Sequence, residues 1–126
     1  MHKIKFMLSY EFLVGRLGKI IDLEESGLNA DLQIAKQQLQ CGLLNQSKST
    51  LKTIIASGNE DKIPACNYTL GKVYYAMNRY EEALECYQAV LKGDPQQNKY
   101  YNKALANLAT TKVMAANYKD AFAYLD

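Results

Sequence analysis

The stretch Met77–Pro95, MNRYEEALECYQAVLKGDP, predicts a helix that ends in a turn. Glu81 and Glu82 lie early in it, and Gly93 and Pro95 follow at its end, which is the order typical of helix start and stop signals. The apolar side chains between them recur at spacings of three and four, which indicates one buried helix face. That face holds Ala83, Leu84, Tyr87, Val90 and Leu91. No residue in the stretch suggests chemistry, so we interpret the helix as a structural unit.

The same pattern occurs more than once in the chain, which is the sign of a repeat architecture. Residues 70–84 align with residues 108–122 at an offset of 38. The matched positions are Leu70 with Leu108, Gly71 with Ala109, Tyr80 with Tyr118, and Ala83 with Ala121. A weaker copy lies upstream at an offset of 33, in which Leu51 aligns with Leu84. The chain is therefore predicted to stack similar helix pairs.

Four helix pairs are expected along the chain, with the pattern weakening toward the N-terminus. Their bounds are 3–14 with 17–26, 30–43 with 46–57, 61–76 with 80–92, and 98–115 with 118–126, so the hairpins span about 3–26, 30–57, 61–92 and 98–126. Stop and start signals separate the pairs, such as Gly58 followed by Asn59, and Gly93 followed by Asp94. We interpret residues 1–126 as a single domain.

Eight residues of the stretch from Leu70 to Pro95 resemble the signature of the tetratricopeptide repeat family. They are Leu70, Gly71, Tyr74, Asn78, Tyr80, Ala83, Tyr87 and Pro95, with Asn67 where the family has Trp. Segment 64–97 fits the family well, segment 102–126 fits with Lys112 in place of Tyr, and segment 31–63 fits weakly. The resemblance implies an all-α fold, a right-handed superhelical array of antiparallel helix pairs. Because the offset of 38 exceeds the usual repeat of about 34 residues, the surplus is expected between Pro95 and Asn102.

Composition and charge exclude several classes of protein. The chain is 48% hydrophobic and 22% charged, so it can bury a core. A net charge of +2 is too small to indicate a nucleic-acid partner, and no run reaches the roughly 18 apolar residues needed for membrane insertion. The apolar start is interrupted by Ser9, Tyr10 and Glu11, which favours a first helix over a signal peptide. Three cysteines without C-x-x-C spacing favour reduced thiols and a cytoplasmic location.

The sequence offers little for catalysis. The single histidine, His2, lies at the N-terminus, and no phosphate-binding or dinucleotide-binding motif is present. A metal site of Cys41, Cys66 and Cys86 would need three helices to converge. In the register with an offset of 33, Cys41 shares the core position of Tyr74, which favours packing instead. We therefore predict that the protein is not an enzyme and has no catalytic residues, metal or cofactor.

The family resemblance implies a concave groove, lined by the first helix of each pair, that binds a peptide or helix of a partner protein. On this sequence the groove face would hold Tyr68, Lys72, Tyr75, Lys103, Ala106, Thr110 and Val113. Tyrosine rings supply contact area there, and lysines supply positive charge. Leu32, Ala35 and Leu39 either line the same groove or contact neighbouring hairpins. The family's carboxylate clamp is matched only in part, by Lys72, Lys103 and Asn107.

Two other roles stay open beside the interaction scaffold. Repeat arrays usually end in a helix with a polar outer face, and none is evident before Asp126. We therefore expect either that the sequence is a fragment of a longer protein or that its open end pairs with another copy as a homodimer. The first alternative function is thus self-association or assembly through the C-terminal helix. The second is a regulatory domain of a larger signalling or secretion protein.

Overall fold

The computed structural model describes the backbone of residues 30–125 and the side chains of residues 30–120. The hairpin predicted over residues 3–26 lies outside these residues. The chain divides into two compact units, residues 1–31 and 32–126, and the fold below is essentially that of the second. That residues 1–126 form a single domain stays a prediction.

Helices account for all the regular structure in residues 30–125, so the predicted all-α class is confirmed. Three-residue connections join α1 to α2 and α3 to α4, and connections this short make successive helices antiparallel neighbours. The arrangement is consistent with a superhelical array of helix pairs. The elements are α1 (Ala30–Gln40), α2 (Leu44–Ala56), a 3-10 turn (Glu60–Lys62), α3 (Ile63–Ala76), α4 (Tyr80–Val90) and α5 (Tyr101–Leu125).

Left-handed residues end the first three helices. Gly42 follows α1 with a φ of 81°, Gly58 follows α2 with a φ of 79°, and Asn78 follows α3 with a φ of 62°. Asparagine tolerates this conformation better than most residues with a Cβ. The hydroxyl of Tyr80 donates a hydrogen bond to Asn78 Oδ1 at 3.0 Å, which holds the turn between α3 and α4.

The crossing of α3 and α4 is built on a glycine against a tyrosine ring. A Cβ added at Gly71 would lie 2.5 Å from Cε1 of Tyr87, so only glycine allows this approach. Tyr87 is 1% exposed and Ala83, on the same helix, is fully buried. Two helices with small residues at their contact pack closely, and this crossing sets the angle between α3 and α4.

The α1–α2 pair repeats the α3–α4 pair at an offset of 36, not at the predicted 33. Aligning Gly42 with Asn78 superposes three buried pairs: Ala35 with Gly71, Ser47 with Ala83, and Leu51 with Tyr87. Ser47 Oγ donates to the carbonyl of Ala35 at 2.7 Å, which joins the two helices. The inferred core position of Cys41 is wrong, because Cys41 lies exposed in the turn that Gly42 forms.

The predicted break within residues 98–126 is absent, because α5 runs as one helix from Tyr101 to Leu125. At the offset of 38, Ala116 stands where α3 is followed by the left-handed Asn78. Alanine strongly favours the helical conformation, and neither Gly nor Pro occurs within α5, so nothing ends the helix there. The helix also begins at Tyr101 rather than near residue 98.

Candidate partner-binding site

A cluster of tyrosines joins α3 to the segment that precedes α5. The half-buried Tyr68 lies with its ring centroid 6.2 Å from that of Tyr87 and 5.5 Å from that of Tyr100. Its hydroxyl accepts a hydrogen bond from Asn107 Nδ2 at 3.2 Å. Tilted aromatic pairs at these distances add about 0.5–1.5 kcal/mol beyond burial. Tyr68 is therefore partly a packing residue, which its placement on the predicted groove face did not indicate.

The connection between α4 and α5, residues 91–100, positions Tyr100. Asn98 Nδ2 donates to the carbonyl of Val90 at 3.2 Å, which ties the connection to the end of α4. The backbone N–H of Tyr100 donates to Asn98 Oδ1 at 3.0 Å. These two bonds fix the chain on either side of Asn98, so the longer connection serves to place Tyr100 against Tyr68.

An open pocket of about 240 Å³ lies between α3, α4 and α5. It is smaller than the 300–1,000 Å³ typical of sites for drug-sized ligands, and it has room for one or two side chains of a peptide. Three predicted groove residues, Lys72, Tyr75 and Thr110, lie on its wall. Asn107, expected as a partial match to the carboxylate clamp, also lines the pocket, together with Tyr87 and Thr111, which the sequence did not single out as groove residues.

Positive charge surrounds the tyrosine cluster. Lys72 Nζ lies 5.5 Å from the centroid of Tyr68, while Lys99 and Lys103 lie 5.3 and 5.9 Å from the centroid of Tyr100. Within residues 30–120 the ion pairs involve other side chains: Arg79, just before α4, pairs with Glu82, and Lys119, near the end of α5, pairs with Glu81. The three lysines therefore keep their charge available to an anionic group.

The remaining predicted groove residues form a stripe on α5 beside the pocket. Lys103, Ala106 and Thr110 are exposed, and Val113 is 60% exposed. They recur at spacings of three and four, so they share one helix face. Tyr75, on α3, is half-buried with its ring 5.3 Å from that of Tyr80.

Helix α1 contributes core packing rather than groove surface. Leu32 is 3% exposed, Ala35 is fully buried, and both belong to the hydrophobic core. Leu39 is half-buried against the same core. Of the two open interpretations of these residues, contact with neighbouring hairpins is the one that the structure supports.

Burial suppresses the acidity of the groups beneath the pocket. It raises the pKa of the Tyr87 phenol well above its usual range, and Tyr68 and Cys86 raise that pKa further, whereas a hydrogen bond with Asn107 lowers it. Tyr87 is thus neutral at physiological pH and is unsuited to act as a base.

We expect Cys86 to make stability depend on pH in the alkaline range. The pKa of this thiol is raised from 9.0 to about 11; burial is the largest cause, Glu85 and Glu82 also raise the pKa, and Lys52 lowers it. The unfolded thiol ionises first as pH rises, so the stabilisation from the neutral folded thiol is complete below pH 9.0 and is lost between 9.0 and about 11. Cys86→Ala should flatten the fall of the unfolding free energy over that interval.

Urea unfolding at several pH values between 8 and 11 measures this slope. Because other groups also contribute to the slope, each variant is compared with wild type rather than with a flat line. Cys41→Ala makes the same substitution at an exposed cysteine and is the matched control. If the free energy of unfolding fell with pH equally steeply in Cys86→Ala and in wild type, Cys86 would not be the source of this pH dependence.

Within residues 30–120, no three His, Cys, Asp or Glu side chains are grouped to hold a metal ion. None of the helices described over residues 30–125 combines the length and the apolar character that crossing a membrane requires.

In comparisons with known proteins, one segment of the chain matches a protein family. Residues 64–97, which contain α3, α4 and the start of the following connection, match the family model of the tetratricopeptide repeat. No match was found among curated proteins or among solved structures. Tetratricopeptide repeats generally mediate protein–protein interactions. The matched segment coincides with the one whose sequence resembles that family best, and the chain therefore carries a tetratricopeptide repeat over residues 64–97.

Proposed function

We propose that the protein is a non-catalytic scaffold that binds a peptide or a short helix of a partner on the groove face of α3 and α5. The groove face consists of Tyr68, Lys72, Tyr75, Lys103, Ala106, Thr110 and Val113. The observation that carries the proposal is the pocket that brings Lys72 and Tyr75 of α3 together with Thr110 of α5. Residues 35 or more positions apart thus line one concave surface of side-chain size.

The lining favours a partner segment that combines an apolar and an acidic side chain. The ring of Tyr75 offers apolar contact inside the pocket, while Asn107 and Thr110 offer hydrogen bonds. Lys72, at the wall of the pocket, and Lys103, near the start of α5, have no carboxylate partner in residues 30–120. An exposed ion pair contributes only about 0.2–1 kcal/mol, so the inserted side chain supplies affinity and the lysines supply orientation and association rate.

Lys72 is the residue at which this proposal is best tested. Tyr68 and Tyr75 pack against other rings, so their replacement by alanine would disturb the fold as well as the surface. Lys72 is exposed, and its main contact is with the face of Tyr68. Its substitution therefore changes the charge of the pocket with little change to the core.

The test is selection from a library of random 12-residue peptides displayed on phage, with the full chain as bait. We expect the selected peptides to be enriched in Asp and Glu next to an apolar residue. Lys72→Glu should weaken their binding about tenfold or more, because it replaces an attraction with a repulsion.

Lys92→Glu makes the same change of charge at an exposed position just after α4, which does not line the pocket, and should leave binding unchanged. Circular dichroism checks that all variants keep the helical content of wild type. Equal losses for Lys72→Glu and Lys92→Glu, or selected peptides without acidic residues, would contradict the proposal.

A further inference from the structure

The two helices that carry the groove face hold charges of one sign. Helix α3 and residues 101–119 of α5 contain lysines but no Asp or Glu. The acidic residues of the α3–α4 pair all lie on α4, at Glu81, Glu82 and Glu85. A surface lined by one sign of charge concentrates ligands of the opposite sign, so the groove face favours an anionic ligand.

Two ammonium groups lie at the ring of Tyr100. Lys99 Nζ is 5.3 Å and Lys103 Nζ is 5.9 Å from the centroid of this ring. Both lysines are exposed, and neither forms an ion pair in the described part of the chain. Asp94, the one carboxylate in the connection between α4 and α5, accepts a hydrogen bond from the backbone N–H of Gln96 at 2.9 Å. Two like charges at one ring repel each other, so a ligand that neutralises both is favoured over one that neutralises a single charge.

The number of charges to be neutralised distinguishes a phosphate from a carboxylate. An ionised Asp or Glu carries one negative charge, whereas a phosphorylated side chain carries about −1.5 to −2 at neutral pH and has three acceptor oxygens. The flexible four-carbon stem of lysine lets the ammonium groups of Lys99 and Lys103 converge on one anion. A single phosphate therefore accepts hydrogen bonds from both lysines and balances both charges.

The tyrosine cluster connects these two lysines to the pocket. The ring centroids of Tyr68 and Tyr100 are 5.5 Å apart, and Lys72 Nζ, at the wall of the pocket, is 5.5 Å from the centroid of Tyr68. Lys72 Nζ thus lies no more than 11 Å from the centroid of Tyr100. Because an extended chain rises about 3.3 Å per residue, about three residues cover this distance. A peptide with one side chain in the pocket therefore brings a nearby residue to Lys99 and Lys103.

We propose that the partner segment is phosphorylated, and that its phosphate binds to Lys99 and Lys103 beside Tyr100, within about three residues of the side chain that enters the pocket. This inference rests on the proposed groove, and it makes binding depend on the phosphorylation state of the partner. A free phosphate ion would meet the same two lysines but would lack the contacts of a peptide in the pocket. The site is therefore assigned to a phosphorylated protein segment.

The probe is a peptide selected from the 12-residue library, synthesised with serine, glutamate or phosphoserine at each position within three residues of its apolar side chain. Fluorescence anisotropy measures the Kd of each peptide for the full chain. At the best position we expect phosphoserine to bind about tenfold more tightly than serine, and glutamate no more than about threefold more tightly. In the double variant Lys99→Ala, Lys103→Ala, the advantage of phosphoserine over serine should fall to about twofold or less. The double variant Lys92→Ala, Lys112→Ala removes the same charge at exposed positions that do not line the pocket and should keep the full advantage.

Inorganic phosphate at about 10 mM and constant ionic strength should weaken binding of the phosphoserine peptide less than about twofold, because the free ion lacks the contacts in the pocket. Full displacement of the peptide by inorganic phosphate would overturn the assignment to a protein segment. Equal affinities for glutamate and phosphoserine at every position, or an advantage that Lys99→Ala, Lys103→Ala leaves intact, would overturn this inference alone. If Lys72→Glu bound the serine peptide as tightly as wild type, the groove itself would be contradicted, and this inference with it.

Discussion

Replacing Tyr87 by alanine is expected to lower the free energy of unfolding by about 3–5 kcal/mol, the range for large aromatic side chains removed from a core. Tyr87 is 1% exposed and is the largest of the fully buried side chains in the described residues. Its ring fills the space above Gly71 and lies beside Tyr68, so the truncation empties the crossing of α3 and α4. Small domains have only about 5–15 kcal/mol of stability, so the loss is a large fraction of the total.

Urea unfolding followed by circular dichroism measures the effect of Tyr87→Ala. Tyr87→Phe is the matched control, because it keeps the ring and removes only the hydroxyl; we expect it to cost about 1 kcal/mol. Were Tyr87→Ala to lose less than Tyr87→Phe, the ring could not be the centre of the crossing.

The second large effect is expected for Leu51→Ala, which should cost about 2–5 kcal/mol. Leu51 is fully buried, and at the offset of 36 it holds in the α1–α2 pair the position that Tyr87 holds in the α3–α4 pair. The small residues around that position are Ala35 and Ser47, both fully buried and joined by a hydrogen bond of 2.7 Å. Removing Leu51 leaves a cavity that these short side chains cannot fill.

Leu43→Ala makes the same truncation at a site that is 45% exposed, just before α2, and should cost less than about 1 kcal/mol. Both variants are compared in the same urea experiment. A similar loss for Leu43→Ala and Leu51→Ala would argue against the equivalence of Leu51 and Tyr87.

The α3–α4 pair could be predicted from sequence because several independent signals agree there. Gly71, Ala83 and Tyr87 together indicate a close crossing of two helices. Gly93 and Pro95 mark the end of the second helix. The register of the α1–α2 pair could not be predicted from apolar spacing alone. On a helix, apolar positions recur at three and four, so a shift of three residues also aligns apolar side chains. The left-handed conformation of Gly42 and the pairs of buried positions that it brings into alignment fix the register.

The continuous α5 shows how one residue decides between a hairpin and a long helix. An Asn lies one or two residues before a Tyr in both copies, and Asn is typical of turns. In the first copy Asn78 lies two residues before Tyr80, whereas in the second Asn117 lies directly before Tyr118 and the equivalent of Asn78 is Ala116. The left-handed position thus falls on alanine, for which that conformation is costly. The sequence therefore did indicate the continuous helix, but only through the alanine at this one aligned position.

The family resemblance implied that Lys72, Tyr75 and Thr110 share a groove face, and these three residues do line one pocket. The stacking of Tyr100 on Tyr68 does not follow from periodicity, because Tyr100 precedes α5 in a connection that Asn98 holds through two hydrogen bonds. Tertiary contacts made by irregular segments are not encoded in a local repeat.

The most direct test of the proposed groove is an NMR titration of the ¹⁵N-labelled full chain with a peptide selected from the 12-residue library. We expect the largest shift changes at the backbone amides of Lys72 and Thr110 and at the side-chain amide of Asn107, which donates to Tyr68. The same peptide should cause little change in Lys72→Glu. Changes confined to α1 and α2, or unaltered by Lys72→Glu, would contradict binding at the groove face.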